Sequence, residues 1–236
     1  MERSAGSDRP LPEPTVARLP LYLRIAEESL RAGTATISSE ELARAGGINS
    51  AKVRKDLSLL GSLGTRGTGY DAASLVMAID EILGVTRDWP VVIAGVGNLG
   101  RALINSRGFF TGGYRLVGVV DADPSLVGTA VGTSVVETFD QIAQRLDAPP
   151  AIGVIATPAE AAQDAAAALV QLGVRSILNF APKFLEVPSD VHVRYVDLSM
   201  ELQILSYHAT LGREAEQQQE ASVTPLRPVA SRAQGS

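Results

Sequence analysis

An apolar run, Val91-Val-Ile-Ala94, opens directly into Gly95-x-Gly97-x-x-Gly100, and this junction constrains the fold more than any other stretch of the chain. Such glycines let the backbone turn tightly and approach a pyrophosphate, whose charge then rests on the N-terminus of the helix that follows. Val96, Asn98 and Leu99 fill the same loop. A lone GxGxxG carries little information. Here a strand precedes it, a helical pattern follows it, and the next strand ends at Asp121, a carboxylate placed to accept hydrogen bonds from an adenosine ribose. Asp123, two residues on, adds a second negative charge that would repel a ribose phosphate and so disfavours NADP.

The surrounding pattern agrees. Across residues 89–197 apolar strands are expected at 91–95, 115–121, 133–136, 151–156, 175–179 and 192–196, with helices starting near Leu99, Thr138 and Ala159. Alternation of this kind gives a doubly wound parallel sheet with helices on both faces. Residues 86–197 therefore read as a Rossmann-like domain in an α/β chain.

Residues 15–85 have a different character. Leu19, Leu23, Ala26 and Leu30 repeat at helical spacing before Ala32-Gly33. Ser38 with Glu41 signals a capping box that opens a short helix, and Gly46-Gly47 stops it. Asn49 or Ser50 caps a third helix to about Leu60. A glycine-rich hairpin, Gly61–Tyr70, follows, and Leu75–Leu83 suits a connecting helix. Helix, short helix, turn, helix and hairpin is the order of a winged helix-turn-helix.

On the third helix Val53, Leu57 and Leu60 share the inner face, while Ala51, Lys55 and Ser58 lie opposite, flanked by Lys52 and Arg54. One acid, Asp56, falls near the apolar edge. A cationic face with small residues suits a major groove, where Arg and Lys reach guanine edges or phosphates. Arg66 at the hairpin tip suits the minor groove or the backbone. The competing reading is a solvated face of a small packing domain, since short basic runs are common.

Composition sets further bounds. At 236 residues the chain can hold two modest domains, and it has no cysteine, which excludes disulfides, thiolate metal sites and cysteine nucleophiles. No apolar run reaches the roughly 20 residues of a membrane span, and the N-terminus lacks the apolar core of a signal peptide, so a cytoplasmic location is expected. The net charge of −5 argues weakly against nucleic acid, although a local patch can outweigh it. Residues 1–14 read as a loose arm and residues 213–236 as a disordered tail.

Taken together the motifs are specific. Arg54-Lys-Asp-Leu57, Gly61–Asp71, Gly95–Gly100, Asp121-Ala122-Asp-Pro124, Thr157-Pro158, Ile177-Leu-Asn179-Phe180-Ala181-Pro182 and Asp197-Leu-Ser-Met-Glu-Leu-Gln203 resemble, in order, the signature of the Rex family of redox-sensing transcriptional repressors. The resemblance covers about residues 15–210. It implies a homodimer that binds NADH or NAD in Rossmann domains, holds double-stranded operator DNA when NAD-bound, and is released by NADH. By the same resemblance Ser50, Lys52, Arg54, Lys55, Ser58 and Arg66 fall in the DNA-contacting elements. Gly95–Gly100, Asp121, Ala122, Asp123, Thr157, Pro158 and Asn179–Pro182 fall in the nucleotide site. The family often carries a tyrosine just before the Gly-Phe that follows the first Rossmann helix. Here Ser106-Arg107 precedes Gly108-Phe109, which alters a polar switch whose other members match Arg18 and Asp197.

After Asp197, Leu198, Leu202, Leu205 and Ala209 lie on one helix face and Met200, Ile204, Tyr207 and Leu211 on nearly the opposite one. A helix that is apolar on two sides must be buried on both. Exchange of residues 198–212 between subunits satisfies that, and an ordinary core helix is the alternative.

Two rival functions remain at this stage. An NAD-dependent oxidoreductase with an accessory helical domain needs a proton donor or acceptor. His192 and His208 are poorly placed for that role and Lys183 is the best candidate, while the chain lacks a sizeable substrate domain. A regulator that binds coenzyme A or another nucleotide is the second. Metal chemistry and Ser-His-Asp hydrolysis find no supporting pattern.

Overall fold

The computed structural model describes residues 10–61, 63–65, 68–106 and 108–222. The chain divides into two units, one of residues 1–90 with 106–116 and the other of residues 91–105 with 117–236.

The N-terminal unit begins with a short α1 (Glu13–Val16), which takes in the last two residues of the expected loose arm, with Pro14 in its first turn. Helix α2 (Leu19–Arg31) follows; its buried stripe is Leu19, Tyr22, Ile25 and Ala26, rotated from the expected Leu23 and Leu30. Tyr22 draws the helix round because its hydroxyl has a buried partner. A two-residue strand β1 (Thr36–Ile37) precedes α3 (Ser39–Gly46), where the Ser38–Glu41 capping box forms as expected. Asn49 caps α4 (Ser50–Ser58) by accepting from the Ala51 N–H. Strands β2 (Gly64–Thr65) and β3 (Gly69–Asp71) make the hairpin, and β3 pairs antiparallel with both β1 and β2. Helix α5 (Ala72–Leu83) starts earlier than its apolar pattern does, because Asp71 caps it through the Ser74 N–H. One core, which includes Leu19, Tyr22, Leu42, Val53, Leu57, Leu75 and Ile79, ties these helices together. The unit is a winged helix-turn-helix.

A charge lies inside that core. Asp56, expected near the edge of the exposed face, is 2% exposed. It accepts hydrogen bonds from Thr15 Oγ1 (2.9 Å), Arg18 Nε (2.7 Å), Arg18 Nη2 (2.8 Å) and Tyr22 OH (2.7 Å). Burial pushes the Asp56 carboxyl up, but these bonds outweigh it and hold the group below its ordinary value. Burial, followed by the bond to Asp56, pushes Tyr22 up to about 12.

The pH consequences have opposite signs. A lowered carboxyl stabilises the fold above its ordinary range, and that contribution is lost as pH falls through the lowered value. A raised phenol stabilises it fully below about pH 10 and loses the contribution as pH rises toward about 12. Tyr22→Phe should therefore flatten the alkaline decline of unfolding free energy, as followed by denaturant titration across pH, and reduce the acid limb without abolishing it, since Arg18 and Thr15 still bond Asp56.

The second unit is built on a seven-stranded sheet in the order β10-β9-β8-β4-β5-β7-β6. Its parts run β4 (Trp89–Ala94), α6 (Asn98–Asn105), β5 (Tyr114–Val120), β6 (Ala130–Val131), β7 (Ser134–Glu137), α7 (Phe139–Arg145), β8 (Ile152–Ile155), α8 (Ala159–Gln171), β9 (Ser176–Asn179) and β10 (His192–Tyr195). All the expected strands are present; β6, a two-residue hairpin partner of β7, is additional. With β6 set aside, the order is that of the doubly wound dinucleotide fold, with its switch point between β4 and β8. The last described element is α9 (Leu198–Ser222), which runs beyond the expected limit at 212. Glu, Ala and Gln are good helix formers, so the polar composition read as a tail also sustains a helix. Among the described residues, no helix is long and apolar enough to cross a membrane.

Candidate functional site

The glycine loop lies at the switch point. Gly95 has φ +102°, a left-handed value that favours glycine, and a Cβ there would stand 2.7 Å from the Ala156 carbonyl and 2.8 Å from the Thr157 nitrogen. A Cβ on Gly100 would collide with the carbonyl oxygen of Gly95. These two glycines therefore let β4, α6 and the loop after β8 close together. A Cβ on Gly97 would meet only open space, so the middle of the loop is left clear for a ligand. Gly97, Asn98 and Leu99 are exposed while Val96 is buried.

Asp121 has two duties here. Its Oδ2 accepts from the Val96 N–H at 2.7 Å and its Oδ1 from the Asp123 N–H at 3.0 Å, so the carboxylate braces both the glycine loop and its own turn. Each carboxylate oxygen keeps a lone pair, which leaves capacity for ribose hydroxyls. Ala122 and Asp123 are exposed beside it. Hydrogen bonds from Ser125 hold the Asp123 carboxyl below its ordinary value, so it stays charged.

The opposite wall carries unmet polar capacity. Thr157 Oγ1 is buried and has no hydrogen-bond partner. Pro158 gives α8 no side-chain cap, which leaves first-turn N–H groups available to an anion. An orphaned hydroxyl, two helix N-termini and a glycine loop left clear at Gly97 suit a dinucleotide. Thr157→Val should stabilise the free protein, since a buried unpartnered hydroxyl costs about 1–3 kcal/mol, and should weaken nucleotide binding by roughly tenfold. Thermal melts and calorimetric titration with NADH would show the two opposite shifts.

Asn179 is engaged by its own loop. It is 1% exposed and directs its amide to the Ala181 and Lys183 carbonyls while accepting from the Ala181 N–H. It shapes the loop that carries Phe180, Ala181 and Pro182 rather than reaching outward. Of those three, Pro182 is exposed and Ala181 is buried.

On α4, Ala51, Lys52, Arg54, Lys55 and Ser58 are exposed and Ser50 is half-buried, as the wheel implied. Arg54 is not free, however. Its Nη1 donates to Glu40 Oε1 at 2.7 Å and to Ser39 Oγ at 3.1 Å. Lys52 and Lys55 are the more accessible cations. Arg66 lies outside the described residues.

Around the expected switch, Arg18 is engaged by Asp56. Asp197 Oδ1 accepts from the Ser199 N–H and hydroxyl, which hold its carboxyl below the ordinary value and start α9. Phe109 packs edge-on against Phe110 with ring centres 5.2 Å apart. Arg107 lies outside the described residues. Along α9, Leu198, Met200, Leu202, Ile204, Leu205, Tyr207 and Leu211 are all exposed, so neither expected apolar face is covered within the chain.

A winged helix-turn-helix and a doubly wound dinucleotide site in one chain define a nucleotide-responsive DNA-binding regulator. The chain is 55% identical over 207 residues to the redox-sensing transcriptional repressor Rex of Streptomyces avermitilis, covering 87% of this chain and 82% of that one. It is 52% identical over 235 residues to that of Streptomyces coelicolor, covering 98% of this chain and 89% of the relative. It belongs to the Rex family of redox-sensing transcriptional repressors. Residues 10–58 match the family model described as "Putative DNA-binding protein N-terminus", and residues 86–183 match the CoA binding domain model. A solved structure of the Rex-family repressor RSP with β-NAD+ and operator DNA superposes with TM-score 0.78 at 32% identity, over 92% of this chain and 100% of that one. Another, of RSP with β-NADH, gives TM-score 0.76 at 32% identity, over 89% and 99%. These relatives are repressors by name, which sets the oxidoreductase reading aside.

Proposed function

We propose that this protein is a homodimeric, cytoplasmic repressor that binds double-stranded operator DNA when free or NAD-bound and leaves it when NADH occupies the Rossmann domain. The observation that carries the reading is the site at the β4–β8 switch point. It combines a cleared Gly97, an orphaned Thr157 hydroxyl and Asp121 with spare lone pairs, in a chain whose α4 presents Lys52 and Lys55. The solved relatives support it, because RSP is held with β-NAD+ on operator DNA and also with β-NADH.

Oxidised nicotinamide is a cation and the reduced ring is neutral. A ligand shifts an equilibrium only by its differential affinity for the two states, and moving DNA occupancy from nearly full to nearly empty takes about 5 kcal/mol. Asp197, at the start of α9, is the charge assigned to sense that difference, with Arg18 and Phe109 in the switch. Leu198, Leu202 and Leu205 belong to the subunit interface. A row of exposed apolar side chains along α9 supports this, since such a surface marks an association site.

A gel shift on the promoter upstream of the protein's own gene, titrated with NADH and separately with NAD, tests the reading. NADH should release the duplex at a concentration where NAD does not. Release by both forms alike would contradict redox sensing, and sustained NADH turnover on a carbonyl panel would restore the enzyme.

A further inference from the structure

Asp56 is the one buried carboxylate among the described residues, and nothing in the nucleotide site or the exposed face of α4 uses it. Its partners come from three places in sequence: Thr15 in α1, Arg18 just before α2, and Tyr22 in α2. All four hydrogen bonds converge on a residue of α4, the helix whose opposite side carries Ala51, Lys55 and Ser58. The guanidinium grips it through two nitrogens at 2.7 and 2.8 Å, a geometry that fixes direction as well as distance.

Stability alone does not account for such a group. Well-packed apolar residues of similar volume are often as stabilising as a buried ion pair, or more so, and the best-attested use of buried polar groups is to fix register. Val53 and Leu57 anchor α4 by apolar burial, a non-directional force, whereas the bonds to Asp56 each fix a direction. A helix with its side chains is about 5–6 Å in radius, so a turn of ~10° about its axis carries an outer side chain by ~1 Å. Reading base edges demands tighter placement than that, whereas holding phosphates demands less.

We propose that Asp56 is a positioning residue for sequence reading: with Arg18, Tyr22 and Thr15 it sets the rotation of α4, and thereby which bases Lys55 and its neighbours reach. This rests on the DNA-binding reading above.

The test uses the full-length protein and duplexes that the wild-type chain itself selects from a random-sequence library, set against a scrambled duplex of equal length. Asp56→Asn keeps the size and removes the charge; Tyr22→Phe and Thr15→Val each remove one hydrogen bond. Measured well below each variant's melting temperature, affinity for the selected duplex should fall at least tenfold for Asp56→Asn and about threefold for each of the others, with scrambled-duplex affinity within twofold of wild type. If Asp56→Asn does not fold, the other two variants carry the test. Lower melting temperatures with the ratio of selected to scrambled affinity unchanged would overturn the proposal and leave the network a stability device. A wild-type chain that selects no duplex would instead overturn the DNA-binding reading.

Discussion

Replacing Gly100 with alanine should cut NADH and NAD affinity by more than a hundredfold and leave a repressor that no longer responds to either. The new methyl would fall on the carbonyl oxygen of Gly95, and Gly95 has little room to retreat, because even a Cβ built on it would meet the Ala156–Thr157 backbone. The loop would have to open, and every donor aimed at the pyrophosphate moves with it. A hundredfold loss corresponds to about 3 kcal/mol, a modest demand on a site that depends on backbone N–H groups in register. The winged helix folds around its own core of Leu19, Tyr22, Leu42 and Leu57, so duplex binding should persist. Calorimetry with NADH and a gel shift on the same preparation separate the two effects. Near-normal nucleotide affinity in Gly100→Ala would mean that the ligand sits elsewhere.

The paired substitution Lys52→Ala/Lys55→Ala should have the complementary effect. Both lysines are exposed on α4 and, unlike Arg54, neither is held by Glu40. With Lys52 on phosphate and Lys55 bringing its charge to the groove beside the bases, the slope of log affinity against log salt should become shallower by about 1 to 2, and affinity at moderate salt should drop roughly tenfold to a hundredfold. NADH affinity should stay within about twofold, since the substitutions leave the glycine loop intact. A parallel loss of both activities would point to misfolding, and an unchanged salt slope would move the DNA contact off this face.

Much of this organisation was legible because its signals are local. Gly95–Gly100 with Asp121 announced the switch point, and Ser38 with Glu41 announced the start of α3. Signals that depend on distant partners were not legible. Asp56 looked like an edge residue because nothing near it in sequence says that Arg18, 38 positions earlier, will bury it. Arg54 read simply as a flank of the cationic face because its partner, Glu40, sits on another helix. Asn179 read as a site residue because it stands at a strand end, and nothing local announced that its side chain also bonds its own loop. Short strands such as β1 and β6 carry too few residues for a period-two pattern and exist through pairing alone. At α9 the apolar pattern was visible, while the helix's continuation to Ser222 came from propensity that a composition-based reading discounts.

Coupling between the two ligands is the claim on which the account stands, and equilibrium linkage makes it measurable in both directions. NADH affinity should be determined by calorimetry with the protein free and again saturated with a duplex it selects, and duplex affinity with and without saturating NADH. The account predicts that DNA weakens NADH binding by the same factor by which NADH weakens DNA binding, at least tenfold, with a far smaller factor for NAD. An NADH affinity that DNA leaves unchanged would contradict it.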